Sequence, residues 1–256
     1  MSPKLVKKLV DKKHRNETGL FIVEGDKNIR ELLLSDFDIV EIFGTSHFLN
    51  AIHDMVLSYE AKHQSRSLPL THTRGEELVR MGSFVSNDFG IAVVRQKKHK
   101  KLNALLPYAK SNFVLVLDDV RDPGNLGTII RIADWYGVNH IVASLSTTDV
   151  YNPKTISSTM GSFTRVSVYY GDHVALLKEA NDLKMPVIAA DMHGKSTHEG
   201  NLPKNGFVVM GSESHGVSDA SLTYTSHRVT IPRFGNAESL NVSVATGILF
   251  DSLRRK

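Results

Sequence analysis

Residues 113–131 read FVLVLDDVRDPGNLGTIIR and combine a strand, a polar loop and the start of a helix. The run begins with apolar residues only, which is typical of a strand buried on both faces of a parallel sheet. The loop that follows contains acidic residues, proline and glycine. Because ligands of open α/β sheets bind at the carboxyl ends of strands, this loop is a candidate site. The stretch therefore predicts an α/β fold with a functional loop after its first strand.

Five further apolar segments follow this strand, at residues 140–143, 165–168, 187–190, 207–210 and 228–231. Helical segments are predicted between several of them, notably at residues 127–136 and 174–183. Such alternation is typical of a mostly parallel sheet with helices on both faces. A last helix is predicted from about Ser239 to Arg254, where basic residues favour the negative end of the helix dipole. We therefore predict an α/β domain over residues 112–256.

A smaller α/β domain is predicted over residues 1–96. A basic helix from about Pro3 to Arg15 leads through a break into an apolar strand at residues 20–23. Its other elements are predicted at residues 28–34 and 48–59 for helices and at 39–43 and 90–94 for strands. A basic linker over residues 97–111 joins the two domains.

Composition excludes several classes of protein. With 41% hydrophobic and 23% charged residues among 256, the chain can bury a core and shows no bias toward disorder. It has no cysteine, which excludes disulfides, thiolate zinc sites and a cysteine nucleophile. Its twelve histidines form no helical metal pair, so no metal is expected. No run approaches the ~18–20 apolar residues that span a bilayer, so we expect a soluble, cytoplasmic protein without a membrane partner.

Basic residues cluster in three places, although the net charge is only +4. The clusters lie in the first fifteen residues, at residues 97–101 and at residues 254–256. A single cluster of this kind is more often a solvated helix face or linker, but the three together favour a polyanionic partner. The candidate RNA-binding residues are Lys7, Lys8, Lys12, Lys13, Arg15 and Lys154.

Asn125 and Arg131 are the candidate functional residues of the first loop. They are six residues apart, and a helix that begins near Leu126 places Arg131 on its second turn. The alternative is that Asn125 only caps this helix and that Arg131 is an ordinary surface cation.

A second candidate loop, GSESHG at residues 211–216, follows the strand at residues 207–210. Its two glycines resemble those of a phosphate-binding loop, but Val217 stands where that motif has lysine, so we reject this interpretation. No dinucleotide-binding glycine pattern follows any strand either. The alternative is a tight turn in which Glu213 is a solvated acid.

A third candidate loop spans residues 231–245, IPRFGNAESLNVSVA, and opens the last helix. Ser239 is the predicted N-cap and Asn241 is predicted in the first turn, where its amide could meet a ligand. The alternative is that these residues only cap the helix and pack. A serine hydrolase is not indicated, because no nucleophile elbow accompanies the serines and His215.

These three segments, in this order, resemble the motifs of the SpoU (TrmH-like) RNA ribose methyltransferases of the SPOUT class. The resemblance implies a C-terminal domain with a deep trefoil knot, which topology arguments alone would discard. It implies S-adenosylmethionine (AdoMet) as cofactor, held by Gly211, Ile231 and Leu240, and a homodimer with a site lined from both subunits. The segment FIVEG at residues 21–25 resembles the family's N-terminal domain, which implies an L30e-like RNA-binding fold.

The resemblance also implies roles for the candidate residues. Arg131 is expected to position a substrate phosphate and to stabilise the developing alkoxide of a ribose 2′-hydroxyl, because arginine is a reluctant base. The residues expected to orient Arg131 and the nucleotide are Asn125, Glu213, Ser239 and Asn241. The expected substrate is ribosomal RNA of the 23S type, and the alternative substrate is transfer RNA. The alternative function is that of a catalytically inactive, RNA-binding assembly factor. Arg233 and Ser157 depart from residues common in the family, which leaves the choice of RNA open.

Overall fold

Alternating strands and helices run through the computed structural model, which describes residues 1–63, 67–97, 101–199 and 202–255. The elements are α1 (Pro3–Lys8), α2 (Lys12–Thr18), β1 (Leu20–Glu24), α3 (Asp26–Leu33), β2 (Ile39–Gly44), α4 (Ser46–Ala51), α5 (His53–His63), β3 (Leu70–His72), α6 (Gly75–Met81), β4 (Gly90–Arg95), α7 (Leu106–Ala109), β5 (Phe113–Leu117), α8 (Pro123–Trp135), β6 (His140–Ala143), α9 (Pro153–Thr159), β7 (Ser167–Tyr170), α10 (His173–Asp182), β8 (Val187–Ser196), β9 (Gly206–Met210), α11 (Asp219–Leu222), β10 (His227–Thr230) and α12 (Val242–Arg254).

The basic N-terminal helix is in fact two helices. α1 ends at Lys8, and the side chain of Asp11 then caps α2 by accepting the backbone N–H of Lys13 at 2.7 Å. A single acidic residue among lysines therefore starts a new helix rather than continuing the first one. α2 ends at Thr18, and the next residue, Gly19, has a φ of 66°, the left-handed conformation that glycine adopts readily.

Two compact units are formed by the chain, and the first comprises Met1–Lys98 and Asp149–Arg165. Its sheet has the order β1-β4-β2-β3, in which β4 is antiparallel to both neighbours and β2 is parallel to β3. The short β3 and the helix α6 were not predicted. The prediction placed residues 149–165 in the second domain, whereas α9 packs here on β1.

Aromatic and ionic contacts hold residues 149–165 in this unit. The ring of Phe21 on β1 lies 4.5 Å from that of Tyr151 and 6.3 Å from that of Phe163, centroid to centroid. Arg15 of α2 forms an ion pair with Asp149 at 2.7 Å. Aromatic pairs at such distances contribute beyond their buried area, so the segment completes the core of the first unit.

The second unit, His99–Thr148 and Val166–Lys256, contains a six-stranded sheet of order β10-β8-β9-β5-β6-β7. All of its neighbouring strands are parallel, which confirms the predicted parallel α/β fold. The strand predicted at 165–168 is displaced by two residues, to Ser167–Tyr170, and the strand predicted at 187–190 extends to Ser196. β5 and β9 are neighbours, so the two loops that follow them leave the same edge of the sheet. α12, which follows the third loop, packs on α8.

Candidate active site

Asn125 lies inside the first turn of α8 and does not cap it. The cap is Asp122, whose Oδ1 accepts the backbone N–H of Asn125 at 2.8 Å, and Pro123 takes the first helical position. Proline is favoured there because its missing N–H would have no helical partner. The helix thus begins earlier than predicted, and the side chain of Asn125 is left for other contacts.

The loop after β9 is closed on itself and directs Glu213 outward. Ser212 and Gly216 pair through two backbone hydrogen bonds, N–H of Ser212 to O of Gly216 at 3.0 Å and the reverse at 2.9 Å. Gly211 precedes this pair, and a Cβ at Gly211 would lie 2.0 Å from the carbonyl carbon of Gly216. Only glycine fits there, so this residue sets the tight turn that exposes Glu213.

Asn241, rather than the predicted Ser239, caps α12. Its Oδ1 accepts the backbone N–H of Ser243 at 2.9 Å and the hydroxyl of Ser243 at 2.5 Å. Ser239 lies two residues before the cap, is exposed and makes no hydrogen bond in the described part of the chain. The prediction of the helix start was therefore wrong, because serine and asparagine are comparable N-cap residues and the sequence offers both.

Three side chains, one from each predicted segment, meet in a single cluster. Nδ2 of Asn241 donates to Oδ1 of Asn125 at 2.9 Å and to Oε1 of Glu213 at 3.3 Å. Nδ2 of Asn125 donates to the same Oε1 in a short contact. We name Asn125, Glu213 and Asn241 the exposed cluster. Because Oδ1 of Asn241 is used by the helix N–H groups, the orientation of both amides follows from the cap.

A cavity of about 150 Å³ lies beside the exposed cluster. It is lined by Asp119, Val120, Arg121, Asp122, Asn125, Ser212, Glu213, Ser214, His215 and Val242. Nε of Arg121 binds Oδ1 of Asp119 at 2.8 Å and lowers the pKa of that carboxyl. Polar side chains that converge on one cavity at strand ends are the usual mark of a ligand site.

A second polar group, which sequence reasoning missed, surrounds the buried carboxylate of Asp118. Oδ2 of Asp118 accepts the N–H and hydroxyl of Ser218, at 3.0 and 2.6 Å, and the hydroxyl of Ser221 at 2.8 Å. Nε2 of His173 lies 3.2 Å from Oδ1 of Asp118. We name these four residues the buried cluster after Asp118 and Ser221, which are buried, whereas His173 is half-buried and Ser218 is exposed. Burial opposes the charge of Asp118, but hydrogen bonds from His173, Ser218 and Ser221 outweigh it and hold its pKa well below the usual range.

Arg131 lies apart from the exposed cluster. It is on the exposed face of α8, it does not line the cavity, and no described side chain pairs with it. Of the residues expected to hold a cofactor, Gly211 is buried, Ile231 is half-buried and Leu240 is exposed. The roles expected for these residues stay predictions.

Residues 231–240 carry an open backbone. Within the described ranges, none of their N–H or C=O groups pairs with another backbone group. The side chains of Phe234 and Leu240 are exposed in the same segment. Backbone groups without internal partners bind water or a ligand, so this segment can offer both donors and acceptors to a planar polar group.

The predicted RNA-binding residues divide into exposed and buried ones. Lys7 and Lys8 line an open cleft of about 730 Å³ in the first unit, where three further basic residues, Lys4, Arg74 and Arg80, and two acidic ones, Glu76 and Glu77, also lie. Lys12, Lys13 and Lys154 are exposed as well.

Arg15 is different, because its side chain is 1% exposed. Its guanidinium binds Asp149 and the carbonyl groups of Leu9 and Val10, at 3.0 and 2.8 Å. The RNA-binding prediction for Arg15 therefore fails: its donors already have protein partners.

Neither a metal centre nor a membrane segment is found in the parts of the chain that the structure describes. Among these residues, no group of three or more histidine, aspartate or glutamate side chains could hold a metal ion. No helix in the same ranges is long and apolar enough to cross a bilayer.

Two family models match the chain and together cover most of it. The model of the SpoU rRNA Methylase family matches residues 112–251, and the model of the MRM3-like substrate binding domain matches residues 3–75. The first match covers more than half of the chain and all three predicted segments. It confirms the resemblance that those segments carry.

Individual relatives agree with the family models. A 23S rRNA (guanosine(2553)-2′-O)-methyltransferase of Bacillus subtilis is 30% identical over 254 residues, which is 97% of this chain and 94% of the relative. The structure of an AdoMet-bound rRNA methyltransferase from Sinorhizobium meliloti is 25% identical, with a TM-score of 0.83 over 98% of this chain and 93% of that one. A TrmH-family structure from Porphyromonas gingivalis is 28% identical, with a TM-score of 0.83 over 98% and 96%.

Proposed function

The chain belongs to the SpoU rRNA methylase family, and we propose from this membership that it transfers a methyl group from AdoMet to a ribose 2′-hydroxyl of ribosomal RNA. The observation that carries the proposal is the exposed cluster, in which Asn125, Glu213 and Asn241 meet from three separate segments. Exposed polar contacts contribute little to stability. Their convergence beside a cavity therefore supports a functional role.

The residues at the site fit AdoMet. The open backbone of residues 231–240 would supply N–H and C=O groups to an adenine ring, and Ile231 and Leu240 would contact the ring's faces. Gly211 would contribute backbone groups from the other loop. The carboxylates of Asp119 and Asp122 also line the cavity and suit a cofactor whose net charge is positive. When bound, AdoMet supplies a methyl carbon activated by its sulfonium.

Arg131 is proposed to hold a phosphate of the RNA and to stabilise negative charge on the ribose oxygen. Its guanidinium is exposed and makes no ion pair with a described residue, so its donors are open to a phosphate. Asn125, Glu213 and Asn241 would orient the nucleotide, and Ser239 would join them from the open segment. Positioning of this kind supplies much of the acceleration in a group transfer.

A homodimer is proposed to complete the site. Trp135 is 84% exposed and shares one face of α8 with Arg131, four residues earlier. Val244 and Ile248 form a similar exposed pair on α12, which packs on α8. Such an apolar surface supports an interface through these helices, and the same contact would bring Arg131 close to the partner subunit.

The knot and the domain roles are parts of the same proposal. The resemblance of the three segments to the family's motifs supports a trefoil knot in the second unit. The first unit would be an L30e-like domain. The predicted bounds are 1–96 for this domain, 97–111 for the linker and 112–256 for the second domain, and we propose that residues 149–165 belong to the first domain. RNA phosphates would be bound by exposed lysines of the first unit, namely Lys7, Lys8, Lys12, Lys13 and Lys154. The protein would act in the cytoplasm, where ribosomal RNA is modified.

Two measurements test this function. Titration with AdoMet in a calorimeter should give one binding event per chain. Incubation with labelled AdoMet and unmodified 23S rRNA transcript should then place a 2′-O-methyl group at one nucleotide. Labelling of transfer RNA alone would reject the ribosomal substrate, and absence of AdoMet binding would reject the enzyme in favour of an assembly factor.

A further inference from the structure

Glu213 offers its two carboxylate oxygens to different surroundings. Oε1 accepts from Nδ2 of Asn125 and from Nδ2 of Asn241. Within the described residues, Oε2 accepts no hydrogen bond and forms no ion pair. The carboxylate is thus held by one oxygen, and its other oxygen keeps its lone pairs beside the cavity that Glu213 lines.

The donor and acceptor roles in these hydrogen bonds are fixed by the cap of α12. Oδ1 of Asn241 caps α12, so Nδ2 of Asn241 must point toward Asn125 and Glu213. Oδ1 of Asn125 accepts from Asn241, so Nδ2 of Asn125 must point toward Glu213. Both amides therefore act as donors, and Glu213 is the acceptor at the end of the chain of hydrogen bonds.

We propose that Oε2 of Glu213 accepts the proton of the ribose 2′-hydroxyl during methyl transfer, an inference that rests on the proposed function. The O–H bond of the ribose breaks and its proton goes to Oε2. The ribose oxygen bonds to the methyl carbon as the carbon–sulfur bond of AdoMet breaks, and that electron pair stays on sulfur. Glu213 then releases the proton to water.

Other groups at the cavity suit this step less well. Asp122 caps α8, and Asp119 is paired with Arg121 at 2.8 Å. Nδ1 of His215 is bound to the hydroxyl of Ser214 at 2.9 Å. Arg131 stays protonated near neutral pH and cannot serve as the acceptor. Glu213 is the carboxylate that two donors position and that still has an oxygen without a partner in the described residues.

Glu213→Gln separates proton acceptance from positioning. The amide oxygen of glutamine can take the place of Oε1 and accept from both asparagines, while its NH₂ replaces Oε2. We expect AdoMet binding and the unfolding midpoint to match the unchanged protein. The rate of methyl transfer to unmodified 23S rRNA transcript should fall by ~10²–10⁴, the usual contribution of a general base. Glu179→Gln, an exposed acid on α10, is the matched control and should keep the full rate.

The pH dependence gives a second readout. The rate of the unchanged protein should rise with pH by one ionisation and then level off, and this rise should be missing in Glu213→Gln. A variant that transfers methyl groups within a few-fold of the unchanged protein, or that keeps the same rise, would show that Glu213 only positions the asparagines. Failure of the unchanged protein to methylate the transcript would instead contradict the proposed function itself.

Discussion

The exposed cluster and the buried cluster are both polar and both lie at the carboxyl end of the same sheet, yet they differ in burial and in how many of their hydrogen-bond acceptors are used. Asn125, Glu213 and Asn241 are accessible and leave an acceptor open. Asp118 is buried, and His173 and two serine hydroxyls surround its carboxylate. The loop after β9 contributes to both. A buried carboxylate with all its hydrogen bonds made, that of Asp118, therefore anchors the loop that presents the exposed carboxylate of Glu213, which has an oxygen left open.

The largest expected effect on the free energy of unfolding comes from Gly211→Ala, because Gly211 begins the loop that the two clusters share. A Cβ there would lie 2.0 Å from the backbone of Gly216, so the loop must move. We expect a loss of about 3 kcal/mol in urea unfolding, together with loss of AdoMet binding. Gly247→Ala is the control, since its Cβ meets only an ordinary contact at 3.8 Å. Retention of both properties in Gly211→Ala would show that the clusters are independent.

The next largest effect is expected from Asp118→Ala. Removal of this carboxylate leaves the N–H and hydroxyl of Ser218 and the hydroxyl of Ser221 without their acceptor. The free energy of unfolding should fall by about 2 kcal/mol. The exposed acid Asp182, changed to asparagine, should alter stability little. An Asp118→Ala protein as stable as the unchanged one would contradict the anchoring role.

A pH dependence follows from the lowered pKa of Asp118. A carboxyl whose pKa is lower in the folded state stabilises the protein above the pKa of the unfolded chain, near 3.8, and this stability is lost as the pH falls below it. Unfolding measured from pH 6 to pH 3 should therefore show a decline that is smaller in Asp118→Asn. Equal declines in the two proteins would assign the acid sensitivity to other groups.

The smallest effect on stability is expected from Asn241→Asp, which should nevertheless impair transfer. Aspartate keeps the oxygen that caps α12, so stability should change by less than about 0.5 kcal/mol. It loses the N–H donors to Asn125 and Glu213 and places a second negative charge beside Glu213. We expect at least a tenfold loss in methyl transfer with unchanged urea unfolding. Asn241→Ala, by contrast, should lose about 1 kcal/mol as well, because the cap is removed.

Much of the exposed cluster could be predicted from sequence, because ligands of open α/β sheets bind in the loops at the carboxyl ends of strands. Asn125, Glu213 and Asn241 were identified in this way, with the help of a family resemblance. The cap of α12 could not be assigned, since Ser239 and Asn241 have similar preferences. The buried cluster could not be found either, because His173 and Ser221 are far from Asp118 in sequence and only tertiary packing joins them.

Charge patterns were less informative than strand patterns. The basic residues near the N-terminus look alike in sequence, yet Arg15 is buried and bound to Asp149, whereas Lys12 and Lys13 are exposed. Nothing local marks residues 149–165 as part of the first unit. Alternation of strands and helices shows that a helix exists, but not which sheet it covers.

The position of residues 149–165 in the first unit has a consequence for synthesis of the protein on the ribosome. The ring of Phe21 meets Tyr151 and Phe163, so the core of the N-terminal sheet stays incomplete until residue 163 has left the exit tunnel. Chain elongation at roughly 5–20 residues per second imposes a delay of several seconds after residue 98 is made. During that interval β1 exposes an apolar surface, and a chaperone or the ribosome itself would have to shield it.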